Sequence, residues 1–151
     1  MQQIQQSNPH IKGQFIVQDL ASTFEAVSTP PAGVNFMTYD MFTPQPIKNA
    51  FIYHYRHIFH NWSDEDCSTL LKQIVPILKT QPRSKLLLVD VVLPDSNITM
   101  QQAIMDITMF PMGGMERNET EWRQLLAGNG LQIRKIWRGS EPEACIECQV
   151  I

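Results

Sequence analysis

A chain of 151 residues, 43% hydrophobic and 18% charged, is long and apolar enough for one globular domain with a real core, and is neither disordered nor fibrous in composition. A net charge of −3, with no long Lys/Arg cluster, argues against nucleic acid or an anionic membrane as the main partner. No apolar run approaches the ~18 residues of a membrane span, the polar start MQQIQQSNPH is no signal peptide, and three cysteines favour reduced thiols, so a cytoplasmic protein is expected.

Residues 1–13 read as an N-terminal arm or the remnant of a helix, ending in Asn8-Pro9 and Gly13. The first strand is expected over 14–18, stopped by Asp19, with a weak helix over 20–27 that Thr29-Pro30-Pro31-Ala32-Gly33 breaks. A second short strand covers 34–37 and leads through Tyr39-Asp40-Met41-Phe42 to a Pro-containing turn at 43–46. The third strand is 50–55.

A short connector holding Arg56, His57, His60, Asn61 and Trp62 joins that strand to Ser63-Asp64-Glu65-Asp66, a helix-starting signal. Cys67, Leu70, Leu71, Ile74, Val75 and Leu78 then recur at helical spacing, predicting an amphipathic helix over 63–78 with Pro76 kinking its last turn. KLLLVDVVL, 85–93, is a nearly continuous apolar run of the kind a parallel strand covered on both faces carries. The methionine-rich segment 99–112 reads as helix, and Gly113-Gly114 as a turn aiming Glu116 inward. Asn118 with Glu121 caps a further helix, closed by Gly128 and Gly130. Residues 131–137 and 144–150 form a terminal strand pair, and the alternation of strands and helices gives an α/β fold whose sheet is mostly parallel with one antiparallel strand.

Asp19, Asp40, His60 and Asp90 each fall at or just beyond the carboxyl end of an expected strand, where open α/β sheets bind ligands. An ionised Asp90 inside KLLLVDVVL is costly to bury unless paired, so it is either a site carboxylate or a strand end reaching solvent. Cys145 and Cys148 have CxxC spacing, but on a strand they face opposite sides, which favours separate thiols over a zinc site. His57 and His60 are three apart, and with no third ligand evident in the sequence no metal is expected. Met100, Met105, Met109, Met112 and Met115 line either an adaptable pocket or the core.

The runs YRHIFHNWSDEDCSTLLKQIVPIL, LLLVDVVLP and DITMFPMGGMERNETEWRQLLAGNGL, with FIVQDL and YDMFTPQP upstream, resemble the C-terminal catalytic part of S-adenosylmethionine-dependent O-methyltransferases of the plant and fungal natural-product (caffeate) type. The resemblance implies His60 as catalytic base, with Asn61 where an aspartate is common, and Asp90 and Glu116 as its acidic partners. It further implies Asp19 on the cofactor ribose, Asp40 and Met41 beside the adenine, Arg56 in contact with the cofactor, and Trp62 near the adenine and substrate pocket, where a plain core aromatic is the competing reading. The chemistry suits these residue types: a phenol of pKa about 10 is a poor nucleophile at neutral pH, and an imidazole, about 6.5, takes its proton as the methyl moves.

The implied fold is a Rossmann-like class I methyltransferase sheet, and the implied cofactor is S-adenosylmethionine. In the family a first strand and a glycine-rich turn precede FIVQDL, whereas here 1–12 resembles only the end of the following helix. The expectation is therefore an incomplete sheet lacking its first strand, in a truncated catalytic domain over 14–151. The implied substrate is a hydroxylated aromatic or polyketide-like small molecule, and the implied assembly a homo-oligomer (a dimer) or a complex with a methyltransferase-like chain. Two other functions stay open: a methyl-donor-independent cyclase or isomerase of pericyclase type reusing the pocket, and a non-catalytic partner of a full-length methyltransferase.

Overall fold

The computed structural model describes residues 7, 8, 10, 13–27, 31–140 and 142–151, and the chain divides into two compact units between Thr43 and Pro44. Most of the expected arm or helix remnant at 1–13, and the Thr29-Pro30 part of the breaker, lie outside the described residues.

In the first unit, strand β1 (Phe15–Asp19) runs parallel to β2 (Val34–Thr38), joined through a short helix α1 (Ala21–Glu25). The helix is fixed by its edges. The Asp19 carboxylate accepts from the Leu20 backbone N–H at 2.8 Å and the Thr23 hydroxyl at 3.0 Å, and Phe24 stacks on Phe36 of β2 with ring centroids 4.4 Å apart.

The second unit is a sheet of order β3-β4-β7-β6, built from β3 (Ile52–Arg56), β4 (Lys85–Leu93), β6 (Leu131–Arg138) and β7 (Glu143–Val150). β3 is parallel to β4, and β7 is antiparallel to both β4 and β6, so the one expected antiparallel strand is β7. Helix α2 (Asp64–Thr80) starts where Ser63 accepts from the Asp66 backbone N–H, and buries Cys67, Leu70, Leu71, Ile74, Val75, Ile77 and Leu78 along one stripe. Helix α4 (Glu119–Gly128) starts with a full Asn118/Glu121 capping box and buries Trp122, Leu125 and Leu126. Helix α3 (Met100–Met109) is capped by Thr99 and Gln102 yet buries no residue, so Met100, Met105 and Met109 are not core in these units.

Two readings of β4 are corrected. Leu86, Leu88 and Asp90 are fully buried, but Lys85, Leu87 and Val89 between them are only half-buried, so β4 is not covered on both faces over its first half. Asp90 is also not at the strand end, because β4 continues three residues past it and pairs with the two-residue β5 (Arg117–Asn118) at Val92 and Leu93. Asp90 falls on the face of Leu86 and Leu88 by the two-residue period, which disposes of a carboxylate reaching solvent. No described helix is long and apolar enough to cross a membrane.

The register of β4 explains where the chemistry gathers. One edge pairs with β3 as far as Val89, whose carbonyl accepts from His57 N–H at 3.0 Å, and resumes with β5 at Val92. Partners change at Asp90. The two segments that diverge from this switch carry His57 and His60 on one side and Glu116 on the other, which is the geometry by which open sheets make ligand crevices.

Candidate active site

His60 sits in a single 3₁₀ turn, Phe59–Asn61, between β3 and the Ser63 cap of α2, and is 9% exposed. The turn is held from below by Arg117, which is 1% exposed. Its guanidinium donates to the Phe59 carbonyl at 3.0 Å, the Trp62 carbonyl at 2.9 Å and the Asp64 carboxylate at 2.8 Å, and lies over the Trp122 ring at 5.6 Å. One fork ties both ends of the His60 turn to the start of α2. Arg117→Ala removes the charge-assisted bonds to two carbonyls, leaving Phe59 with the Trp62 N–H and the Cys67 thiol and Trp62 with the Cys67 thiol, and leaves a cavity where the guanidinium packs; it is expected to destabilise the fold by about 3 kcal/mol, and a thermal melt within a degree of wild type would contradict this role.

Glu116 reaches the site from the opposite wall. Gly113, at φ 77°, ends a 3₁₀ turn in the left-handed region that suits glycine, and Met115 N–H donates to the His60 carbonyl at 2.9 Å. Asp106 of α3 accepts from the Glu116 backbone N–H at 2.9 Å. The Glu116 side chain, 1% exposed, then accepts from His60 Nδ1 at 2.9 Å. That bond places the proton of a neutral His60 on Nδ1 and leaves Nε2 as the acceptor nitrogen.

Asp90 lies 3.8 Å from His60 Nδ1, too far for a hydrogen bond, and neither of its oxygens has a partner of hydrogen-bonding geometry among the described residues. Burial pushes its carboxyl up to about 7. His60 opposes that rise, Glu116 adds to it, and the Phe59 backbone N–H and Arg117 pull weakly downward.

A second histidine, His57, which the sequence marks only by its spacing of three from His60, faces the same carboxylate. His57 adopts φ 53°, uncommon for any residue other than glycine, and is held there by Val89 and by Asn61, whose side-chain amide donates to the His57 carbonyl at 3.0 Å. Its Nδ1 is 4.0 Å from Asp90, and its Nε2 is 2.9 Å from Glu143. Glu143 in turn takes a bidentate contact from Arg56, with N–O distances from 2.9 to 3.3 Å, and those hydrogen bonds hold its carboxyl below the ordinary range. Arg56, expected to touch a cofactor, is thus engaged by Glu143.

The structure brings together His60, Asp90 and Glu116 of the expected site and adds His57, Glu143 and Arg117. Asp19, Asp40 and Met41 belong to the first unit. Asp19 uses one oxygen, Oδ1, for its two local bonds; Asp40 is exposed and its Oδ1 accepts from the Phe42 N–H at 3.0 Å; Met41 is half-buried. Trp62 is half-buried at the start of α2. The thiols of Cys67 and Cys148 are buried and pushed up to about 11 and about 12 by that burial, so neither is a ready nucleophile.

Residues 1–132 match the family model described as the O-methyltransferase domain. Demethylsterigmatocystin 6-O-methyltransferase of Aspergillus flavus is 42% identical over 126 residues, 83% of this chain and 32% of that protein. Among solved structures, that of LepI complex with SAM superposes with a TM-score of 0.90 at 26% identity, covering 99% of this chain and 39% of that one. OxaC in complex with SAH and oxaline gives 0.85 at 29%, with the same coverage. The chain spans about a third of the length of such curated relatives.

Proposed function

The chain belongs to the O-methyltransferase domain family, and from that premise we propose that it serves methyl transfer from S-adenosylmethionine to a hydroxyl of an aromatic or polyketide-like small molecule, with His60 as base. One observation carries the assignment: a nearly buried imidazole whose Nδ1–H is fixed by a buried carboxylate, leaving Nε2 to accept a proton.

In this reading the substrate hydroxyl approaches His60 Nε2. As the oxygen bonds the methyl carbon, its O–H bond breaks and the proton passes to Nε2. Glu116 keeps the ring in one tautomer and balances the charge the imidazole acquires. Asp90, 3.8 Å from the same Nδ1, adds negative potential when ionised, without a direct bond. Arg117 holds the turn so that the ring does not drift while the proton moves.

The cofactor, when bound, supplies an electrophilic methyl group on sulfur. Asp19 suits its ribose: a carboxylate at the carboxyl end of a parallel strand that, among the described residues, spends only Oδ1 on local bonds keeps Oδ2 for a vicinal diol. Asp40 and Met41, just past β2, are the proposed adenine neighbours. The substrate class is supported by the relatives, one named for demethylsterigmatocystin and one solved with oxaline.

Incubating the chain with S-adenosylmethionine and a panel of hydroxylated aromatic and polyketide compounds tests the proposal. The expected result is a product gaining one methyl, with S-adenosylhomocysteine released in equal amount. Conversion of a panel member without any methyl donor would instead identify a cyclase or isomerase, and sink methyl transfer as the activity.

A further inference from the structure

The centre of the site holds more acceptors than protons. Asp90 is fully buried and both its oxygens lack a hydrogen-bond partner among the described residues, as does Glu116 Oε2. Two imidazole nitrogens face the Asp90 carboxylate, His60 Nδ1 at 3.8 Å and His57 Nδ1 at 4.0 Å. Glu143, held by Arg56, can only accept, so the 2.9 Å contact makes His57 Nε2 the donor. With the ring neutral and Asp90 ionised, that leaves the His57 Nδ1 lone pair turned toward a carboxylate that also carries only lone pairs. A metal cation between them removes the conflict, as a proton on Asp90 also does. An imidazole with one nitrogen free and the other donating to a carboxylate is also the arrangement that orients metal-ligating histidines.

We propose that His57 Nδ1, His60 Nδ1 and an Asp90 carboxylate oxygen form a binding site for a divalent transition-metal ion of the zinc class. Their ligand atoms all lie within 4.8 Å of one another. Zinc bonds of ~2.0–2.2 Å put ligand atoms roughly 3.3 Å apart in a tetrahedron, so closing the site shortens the ligand separations by about 0.5–1.5 Å, within reach of side-chain rotation. Two nitrogens and one oxygen suit zinc, cobalt or nickel better than calcium or magnesium, which take oxygen ligands. Glu116 Oε1, 2.9 Å from His60 Nδ1, is at hand as a fourth ligand. The left-handed backbone of His57, fixed by Val89 and Asn61, keeps the second histidine in place.

An ion bound here also bears on methyl transfer. A metal on His60 Nδ1 displaces the proton that Glu116 holds, so the metal-loaded chain is the inhibited form. That consequence rests on His60 being the base; the binding itself does not.

The test is a titration of cobalt(II) into the untagged chain, followed by calorimetry and by visible d–d absorption. One ion should bind per chain at about micromolar concentration, with the spectrum of nitrogen and oxygen ligands. His57→Asn, chosen because asparagine tolerates left-handed backbone, and Asp90→Asn should each weaken binding about tenfold or more, with thermal melts confirming folding. His54→Gln, at an exposed histidine outside the cluster, should leave it unchanged. No saturable binding up to about millimolar cobalt, a thiolate charge-transfer band, or binding insensitive to His57→Asn would each overturn the site. Methyl transfer assayed with a chelator present is independent of all three results.

Discussion

Gly114→Ala will destabilise the protein by about 3 kcal/mol, or unfold it outright, while Gly128→Ala will be close to neutral. A Cβ at Gly114 would lie 2.0 Å from the His60 carbonyl oxygen and 2.8 Å from two Asn61 backbone atoms. No real Cβ sits that close. The obstacle is backbone on both sides, since His60 lies in a 3₁₀ turn clamped by Arg117 and Met115 is bonded to its carbonyl, so neither wall can swing away as a side chain would. At Gly128 nothing lies within 4 Å. Gly113→Ala falls between the two: it has room, and only its φ of 77° resists a side chain, at about 1 kcal/mol. Thermal denaturation of the three variants checks the ranking. Equal melting temperatures for the Gly113 and Gly114 variants would mean that the two walls of the site are not in contact.

Replacing His60 by alanine will lower methyl transfer by about 10²–10⁴-fold, the usual worth of a positioned general base, without weakening cofactor binding. The separation matters because Asp19, the proposed ribose carboxylate, lies in the first unit and His60 in the second. Glu116→Gln should fall between wild type and His60→Ala, since its amide oxygen still accepts from Nδ1–H but carries no charge to balance an imidazolium. Steady-state rates with a substrate found in the panel decide this, and a His60→Ala rate equal to wild type would remove His60 from the chemistry.

Much of this was readable from the sequence where the signal is local. The Ser63 cap, the apolar stripe of α2 and the Asn118/Glu121 capping box each sit within four residues of what they organise, and each forms as read. The pairing of His60 with Glu116 came from motif resemblance and is realised at 2.9 Å. Asp90 was harder. Its burial depends on which face of β4 the helices cover, and its place at the change of partner from β3 to β5 depends on a two-residue strand too short to leave a periodic pattern. Arg117 and Glu143 carry no sequence signal, and His57 only its spacing from His60, because what each touches is remote: Arg117 binds carbonyls 58 and 55 residues away, and Glu143 meets His57 across 86. The methionine segment formed a helix as its composition suggested, but its lack of burial is set by what the rest of the fold places against it.

Whether this chain binds a methyl-donor cofactor decides its function, and one titration reads that directly. S-adenosylhomocysteine injected into the chain should give saturable heat for one site, lost in Asp19→Ala and retained in His60→Ala. No binding up to about millimolar ligand, or binding that survives Asp19→Ala unchanged, would contradict it.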